Sequence, residues 1–335
     1  MILISTCHKS IPQIILYEDP SLTRKPRIMK LWVLKAIVQK VISYLPFAHK
    51  INFLFQKYIT KGVHLSDEYF YDRLLHAQKH LKAYRKVTDK ACPKTCLELG
   101  TGWYPVIPVF FLLAGAEDVF SMDISFLSSK KRIKSTLEKY IEAYENGKLS
   151  PFIKPDEARW KQLMECKSQM EAYELEEVLR RLHLFYKIRD ARRIDLPNHS
   201  VDLIISNNTF EHIYPEILKP ILVEFKRVLK PAGAQSHFID LSDHFAHFDK
   251  AIGIYNFLKF SESMWKWIDN SIQPQSRLRW NDYLKLYEEL EIPIVDQEIR
   301  KGNPMELKQL TLSPIYHDCP LEHLAISHGY IYSKA

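Results

Sequence analysis

The chain has 335 residues, 46% hydrophobic and 26% charged, enough apolar material for one large domain with appendages or for two domains, and no stretch is polar enough for long enough to read as disordered. Five scattered cysteines, Cys7, Cys92, Cys96, Cys166 and Cys319, argue against a disulfide framework, and the lone Cys92/Cys96 pair argues against a zinc site; the expectation is reduced, packed thiols and no metal centre. The net charge of +7 is lopsided: residues 1–96 hold 17 Lys or Arg against 6 Asp or Glu (+11), leaving 30 against 34 (−4) for the rest, so the basic character concerns a partner of the N-terminal segment and not the remaining fold.

The opening MILISTCHKSIPQ has no basic region leading a long apolar run, so no secretory signal is expected and the chain reads as cytoplasmic. Residues 28–45 read as a helix whose broad apolar face carries Val33, Leu34, Ile37, Val38, Val41, Tyr44 and Leu45, with Lys35, Gln39, Lys40 and Ser43 opposite and Pro46 as a stop. Its lysines argue against a membrane span. They suit either a cover packed on the rest of the chain or peripheral contact of residues 24–50 with an anionic membrane. Nucleic acid is a poor partner, because no recognised binding motif accompanies the charge. A second helix is expected over about 66–87, with Tyr71, Leu74, Leu75 and Leu81 at helical spacings.

At residue 95 the texture changes to alternating short apolar runs and helical stretches. Strands are expected at Thr95–Leu99, Val119–Ile124, Leu184–Ile188, Val201–Ser206 and Ser236–Leu241, and helices at about 106–114, within 127–182 and at 215–229. That alternation predicts a mostly parallel sheet with helices on both faces. Two more strands, Ile292–Ile299 and Leu324–Tyr332, close the chain with no convincing helix between them. The expected organisation is a helical, basic extension over 1–90 and an α/β domain over 91–335, carrying a charged helical insert (127–182) and a cover segment (245–290).

The sharpest signal is LELGTGWYP at residues 97–105. A buried strand ends at Gly100, and glycines there allow positive φ and close backbone approach to a ligand. The following helix offers free N–H groups. Asp123 ends the next strand 23 residues later (123 − 100), where a carboxylate can accept both hydroxyls of a ribose. A dinucleotide site has a similar layout, but Pro105 stands where its third glycine belongs. Glu98 would repel a pyrophosphate and suits a cationic ligand.

These residues carry a resemblance. LELGTGWYP is similar to the first motif of class I S-adenosylmethionine-dependent methyltransferases, SMDIS to the second, RDARRIDLPNHSVDLIISNNTFEHI to the third and fourth, and RVLKPAGA to the turn before the fifth strand. The likeness runs from about 95 to 241. It implies a Rossmann-like seven-stranded sheet of order 3-2-1-4-5-7-6 with the seventh strand antiparallel, and S-adenosylmethionine as cofactor. By position it implies Gly100, Thr101 and Gly102 beneath the cofactor, Glu98 near its ammonium, Asp123 on its ribose, Ile124 against its adenine, Asp190 and Ala191 at the adenine edge, and Asn207 at the methionine end. Tyr104 departs from the glycine common in the family, and the bulk of Trp103-Tyr104-Pro105 narrows the loop.

Methyl transfer from a sulfonium needs alignment and exclusion of water, and needs a base only when the acceptor must lose a proton. Acceptor-side groups belong beyond the ends of the fourth and fifth strands. There His212 and His244 are candidate bases, Asp240 and Asp243 their candidate orienting carboxylates, and His247 a weaker choice. Trp265, Trp267, Arg277, Arg279 and Trp280 are candidates for an aromatic and cationic wall, or else ordinary packing. The fourth strand reads SNNTF and lacks the motif of base-amino methyltransferases. The expected function is methyl transfer to a hydroxyl or amine of a small molecule or glycan; the alternatives are a nicotinamide-dependent oxidoreductase and a non-catalytic S-adenosylmethionine-binding protein.

Overall fold

The computed structural model describes residues 31–45 and 64–335. Cys7, Pro46, the start of the chain and the expected helix start at residue 28 lie outside them. Seven strands form one sheet in the order β3-β2-β1-β4-β5-β7-β6. These are β1 (Thr95–Leu99), β2 (Asp118–Asp123), β3 (Leu184–Ile188), β4 (Val201–Asn207), β5 (Leu229–Asp240), β6 (Ile294–Lys301) and β7 (Ile326–Lys334). The pairs among β1 to β5 are parallel, and β7 runs antiparallel to both neighbours. β4 is buried at every residue, as a central parallel strand covered on both faces must be.

Helices α1 (Leu31–Ser43) and α2 (Asp67–Thr88) precede the sheet. α2 is capped by Ser66, whose side chain accepts from the Tyr69 N–H, with Asp67 and Glu68 in its first turn and Arg85 and Lys86 in its last. α3 (Val106–Leu113), directly after the glycine turn, is apolar and buried throughout. The insert supplies α4 (Lys130–Glu145), α5 (Glu157–Gln169) and α6 (Leu175–Arg181). Ser129 and Asp156 cap the first two.

One hydrophobic interior holds Phe70, Leu74 and Tyr84 of α2, Phe110 of α3, Leu137 and Tyr140 of α4, Leu163 of α5 and Val178 of α6 with β-sheet residues such as Cys96, Leu203 and Ala234. The insert is therefore a wall of the sheet. The boundary expected at residue 90 falls between α2 and β1, yet α2 shares this interior with the strands. The opposite face is covered by α7 (Pro215–Val228) and α10 (Trp280–Glu289), through Leu222, Phe225, Tyr283 and Tyr287.

Three sequence expectations are corrected. The KPAG turn lies within β5: Val201 pairs with Leu229 but Leu203 with Ala234, so the turn bulges out of a strand that begins earlier than expected. Two short helices, α11 (Pro304–Lys308) and α12 (Leu321–Leu324), separate β6 from β7. The third correction concerns α1, which is rotated from its expected orientation. It buries Trp32, Ala36, Gln39 and Ile42, and leaves Leu34, Ile37, Val41, Tyr44 and Leu45 exposed. The Trp32 ring lies between Phe245 and Phe260, with centroids 5.8 and 5.6 Å away. A large aromatic payload outweighs the smaller aliphatics in setting the helix's rotation. Lys40 fastens the same side, its Nζ donating to the carbonyls of Lys266 (2.8 Å) and Asp269 (2.6 Å).

The cover segment contains α8 (His244–Phe248) and α9 (Glu262–Ile268) and runs into α10. Most of its expected wall is buried, although Trp265, Arg277 and Arg279 also border a cavity of about 820 Å³. Trp265, Arg277, Arg279 and Trp280 are buried, and only Trp267, 80% exposed, faces solvent. Arg279 donates to the carbonyls of Leu241 (2.7 Å), Leu324 (2.6 Å) and Ile326 (2.7 Å), clasping the end of β5 to the start of β7. Arg279→Met leaves three buried carbonyls without that donor, at about 1–3 kcal/mol for each group left unsatisfied. A loss of at least about 3 kcal/mol in chemical denaturation is the expected outcome, and an unchanged midpoint would contradict this role.

Candidate active site

The C-terminal ends of β1, β2 and β4 bring together the residues picked out around the glycine turn. Gly100 has φ +81°, and a Cβ there would stand 2.4 Å from Thr209 Oγ1, so glycine is required both by conformation and by the close approach of the β4 loop. Gly102, at φ +70°, faces open space. Its N–H points at Asp123 Oδ2 (3.4 Å), and the Ser125 N–H approaches the other oxygen at 3.3 Å. Burial pushes the Asp123 carboxyl above its usual range, against the pull of those amides. Glu98 is buried and accepts from Thr101 Oγ1 at 2.7 Å. Burial pushes it up to about 7, with Thr101 and Arg73 pulling the other way.

The remaining expected cofactor residues are spread around this cluster. Ile124 is 76% exposed and Ala191 is buried. Asp190 is held below its usual range by Arg192, whose Nε lies 3.0 and 2.9 Å from its two oxygens. It borders a cavity of about 400 Å³ with Arg189, Arg193 and Ile194. The Arg189 N–H donates to the Asp123 carbonyl at 3.0 Å, which joins that cavity to the end of β2. Trp103 lies under the Arg132 guanidinium, 4.7 Å from its centroid, and Tyr104 packs on the interior of the insert side.

Asn207 ends β4 beside α2. Its Oδ1 accepts from His80 Nε2 (3.1 Å), while His80 Nδ1 takes the Ser236 hydroxyl (2.6 Å). This arrangement leaves the buried Asn207 Nδ2 without a partner. Burial lowers His80 to about 3, so the ring is neutral.

The ends of β4 and β5 gather histidines and carboxylates. Asp240 is buried among three imidazoles: His328 Nε2 at 3.2 Å, and His244 Nε2 and His247 Nε2 at 3.6 Å each. Burial alone would raise its carboxyl, but those histidines hold it well below the usual range. His212 Nδ1 donates to the Pro274 carbonyl at 2.6 Å, which turns its Nε2 into an acceptor. Burial lowers His212 to about 4. The His212 and His244 rings meet edge to face, 4.8 Å between centroids. Asp243 is engaged elsewhere: it accepts from the Phe245 N–H (2.8 Å) and Asn256 Nδ2 (3.1 Å), capping α8. Of the two candidate orienting carboxylates, then, Asp240 sits with the histidines and Asp243 does not.

A cavity of about 430 Å³ opens beside this group, lined in part by Arg73, His76, Asn208, Phe238, Asp240 and Tyr330. Asp72, Arg73, His76 and His80, all on α2, belong to this region although no motif marks them. Their only trace in the sequence is the recurrence of Asp72, His76 and His80 every fourth residue, which puts polar groups on one helix face. Tyr330 and His328 enter from β7, where the chain returns antiparallel; His76 Nδ1 is hydrogen-bonded to the Tyr330 hydroxyl.

Residues 163–235 match a family model described as a methyltransferase domain. That segment includes Asp190, Asn207, Glu211 and His212 and omits the glycine turn, which the helical insert separates from it. No curated protein matches the chain. Among solved structures, a protein of Pyrococcus horikoshii OT3 is 14% identical, covering 81% of this chain and 92% of its own at a TM-score of 0.44. The 1,6-didemethyltoxoflavin-N1-methyltransferase of Burkholderia thailandensis, solved with 1,6-didemethyltoxoflavin and S-adenosylhomocysteine, is 12% identical, covering 87% and 91% at 0.41. An S-adenosylmethionine-dependent methyltransferase of Aquifex aeolicus is 13% identical, covering 78% and 90% at 0.38. Scores this low add nothing to the sheet order, which rests on its own strand register.

Proposed function

We propose that this chain, a class I methyltransferase by its sheet order and its methyltransferase-domain match, moves the methyl group of S-adenosylmethionine to a hydroxyl or amine of a small molecule or glycan. The observation that carries the reading is the apposition of Glu98, the Gly102 amide and Asp123 at adjoining strand ends. The residues fit that cofactor: open space faces Gly102, Asp123 has oxygens for ribose hydroxyls, and Asn207 keeps a buried amide donor at the methionine end. Bound there, the cofactor supplies an activated methyl group on sulfur. The chain's own work is alignment and proton handling. Asp123 fixes the sugar, Glu98 answers the ammonium, and the Asp240–His244 pair stands where a hydroxyl proton would be taken up. Phe238 and Tyr330, lying beside the charged groups of the 430 Å³ cavity, suit a small polar ring as acceptor.

A nicotinamide-dependent oxidoreductase is the competing reading, disfavoured by Glu98 and Pro105. A binding protein without turnover is the other. Calorimetry with S-adenosylhomocysteine and NAD separates the first, and a labelled-methyl screen of metabolite extracts separates the second. Binding of NAD alone would sink the proposal.

The exposed row of Leu34, Ile37, Val41, Tyr44 and Leu45 on α1, with Trp267 nearby on α9, favours peripheral contact with an anionic membrane. No helix among the described residues is long and apolar enough to cross one. Replacing Leu34, Ile37 and Val41 with serine should abolish salt-sensitive binding to vesicles containing phosphatidylserine, while S-adenosylhomocysteine affinity stays the same. Equal sedimentation of variant and wild type with those vesicles would remove the membrane from the account.

A further inference from the structure

We propose that Glu211, His212 and His244 form a binding site for a divalent transition-metal ion, with Asp240 at its edge. The three residues each offer one ligand atom, and those atoms lie within 4.8 Å of one another. An ion at about 2.1 Å from each nitrogen or oxygen in tetrahedral geometry holds its ligand pairs about 3.4 Å apart, so the widest pair has to close by up to about 1.4 Å, within the reach of side-chain rotation. Glu211 is 3% exposed, and neither of its carboxylate oxygens has a hydrogen-bond partner. A buried carboxylate left this way is costly unless something binds it. Burial first, and then the charge of the buried Asp240, push the Glu211 carboxyl well above the usual range.

The histidines are arranged as ligands are. The Nδ1 of His212 is committed to the Pro274 carbonyl at 2.6 Å, which fixes the ring and presents the Nε2 lone pair; metal-bound imidazoles are oriented by just such a bond on the far nitrogen. His244 opens α8, directly after the Asp243 cap, and its ring abuts that of His212. Two imidazoles with one carboxylate select Zn²⁺, Mn²⁺, Co²⁺ or Fe²⁺ over Mg²⁺ and Ca²⁺, which prefer oxygen. Three protein ligands leave open positions, and Asp240 also borders the 430 Å³ cavity. Resting on the function proposed above, this site narrows the acceptor to a hydroxyl. With the ion bound, His244 is a ligand and no longer the base assigned to it above, and an oxygen on the ion loses its proton to solvent more readily. Its lone pair then forms the new O–C bond as the C–S bond breaks, with the bonding pair staying on sulfur.

The test uses the full chain, freed of metal with a chelator, freed of the chelator, and titrated with Zn²⁺ and Co²⁺. Wild type should bind one equivalent by plasma mass spectrometry and give visible Co²⁺ bands of mixed nitrogen and oxygen ligation. Glu211→Gln and His244→Ala should each lose about 100-fold or more in affinity, with circular dichroism unchanged, while His183→Ala behaves as wild type. Should Glu211→Gln fail to fold, His244→Ala carries the test. No binding by wild type, or affinity unaltered in His244→Ala, overturns the site. S-adenosylhomocysteine titrated into the same preparations keeps the two proposals apart. Metal without nucleoside binding removes the function and leaves the site; nucleoside without metal binding does the reverse.

Discussion

Asp123→Ala should weaken S-adenosylhomocysteine binding by about 100-fold, read by calorimetry at neutral pH. Two hydrogen bonds from ribose hydroxyls to a carboxylate are worth about 1.5–3 kcal/mol each, and about 1.4 kcal/mol is a factor of ten in affinity. The fold should survive, because Asp123 receives backbone amides alone, those of Gly102 (3.4 Å) and Ser125 (3.3 Å) at long range and that of Ile124 beside them. Asp123→Asn, which keeps an acceptor without the charge, should fall between the two. Wild-type affinity in the alanine variant would mean that the nucleoside, if bound at all, is not held by its sugar at this strand end.

Glu98→Gln should move stability and binding in opposite directions. Burial lifts this carboxyl from 4.5 to about 7 in the folded chain. Between those values the native state holds a proton that the unfolded state has released, so without ligand the stability must fall as pH rises through this window. The full loss is on the order of 3 kcal/mol, at about 1.4 kcal/mol per pKa unit. Glutamine has no proton to lose and escapes it, so the ligand-free variant should melt above wild type at pH 8 and near it at pH 5. A cationic ligand reverses the preference. In wild type, affinity for S-adenosylmethionine should climb about tenfold per pH unit below 7 and then level off. In the variant it should be lower and flat across that range. Parallel pH profiles for the two proteins would show that Glu98 does not face the cofactor's charge.

The parts of the fold that were legible are those written in local pattern. A buried strand ending in glycine, a carboxylate closing the next strand and a fourth strand with an apolar Leu203–Ile205 centre are each fixed by neighbours in sequence. The order of the sheet came from motif resemblance and agrees with the strand pairing. What escaped depends on which distant surface meets which. The rotation of α1 turns on Trp32 finding Phe245 and Phe260, more than 200 residues away. Arg277 and Arg279 read as ligands because they are cationic and sit beside aromatics. The partners of Arg279 are backbone carbonyls where the end of β5 meets the start of β7, and those of Arg277 are the Phe257 and Phe260 carbonyls and the Glu262 carboxylate, none of which a local pattern announces. His328, Tyr330 and the polar face of α2 join the candidate site for the same reason: long-range pairing places them, and their own neighbours in sequence carry no motif.

The seating of α2 bears on how this gene can be cut. A fragment started at residue 91, where the α/β pattern begins, would strip Phe70, Leu74, Ala77, Leu81 and Tyr84 from the interior they share with Val109, Phe110 and Leu203. It would also leave Asn207 and Ser236 without the His80 ring that satisfies both. Such a fragment should collect in inclusion bodies, whereas one begun upstream of Ser66 keeps the cap, the helix and the packed sheet. The smallest unit that can be expressed alone is thus longer at its N-terminus than its recognisable motifs.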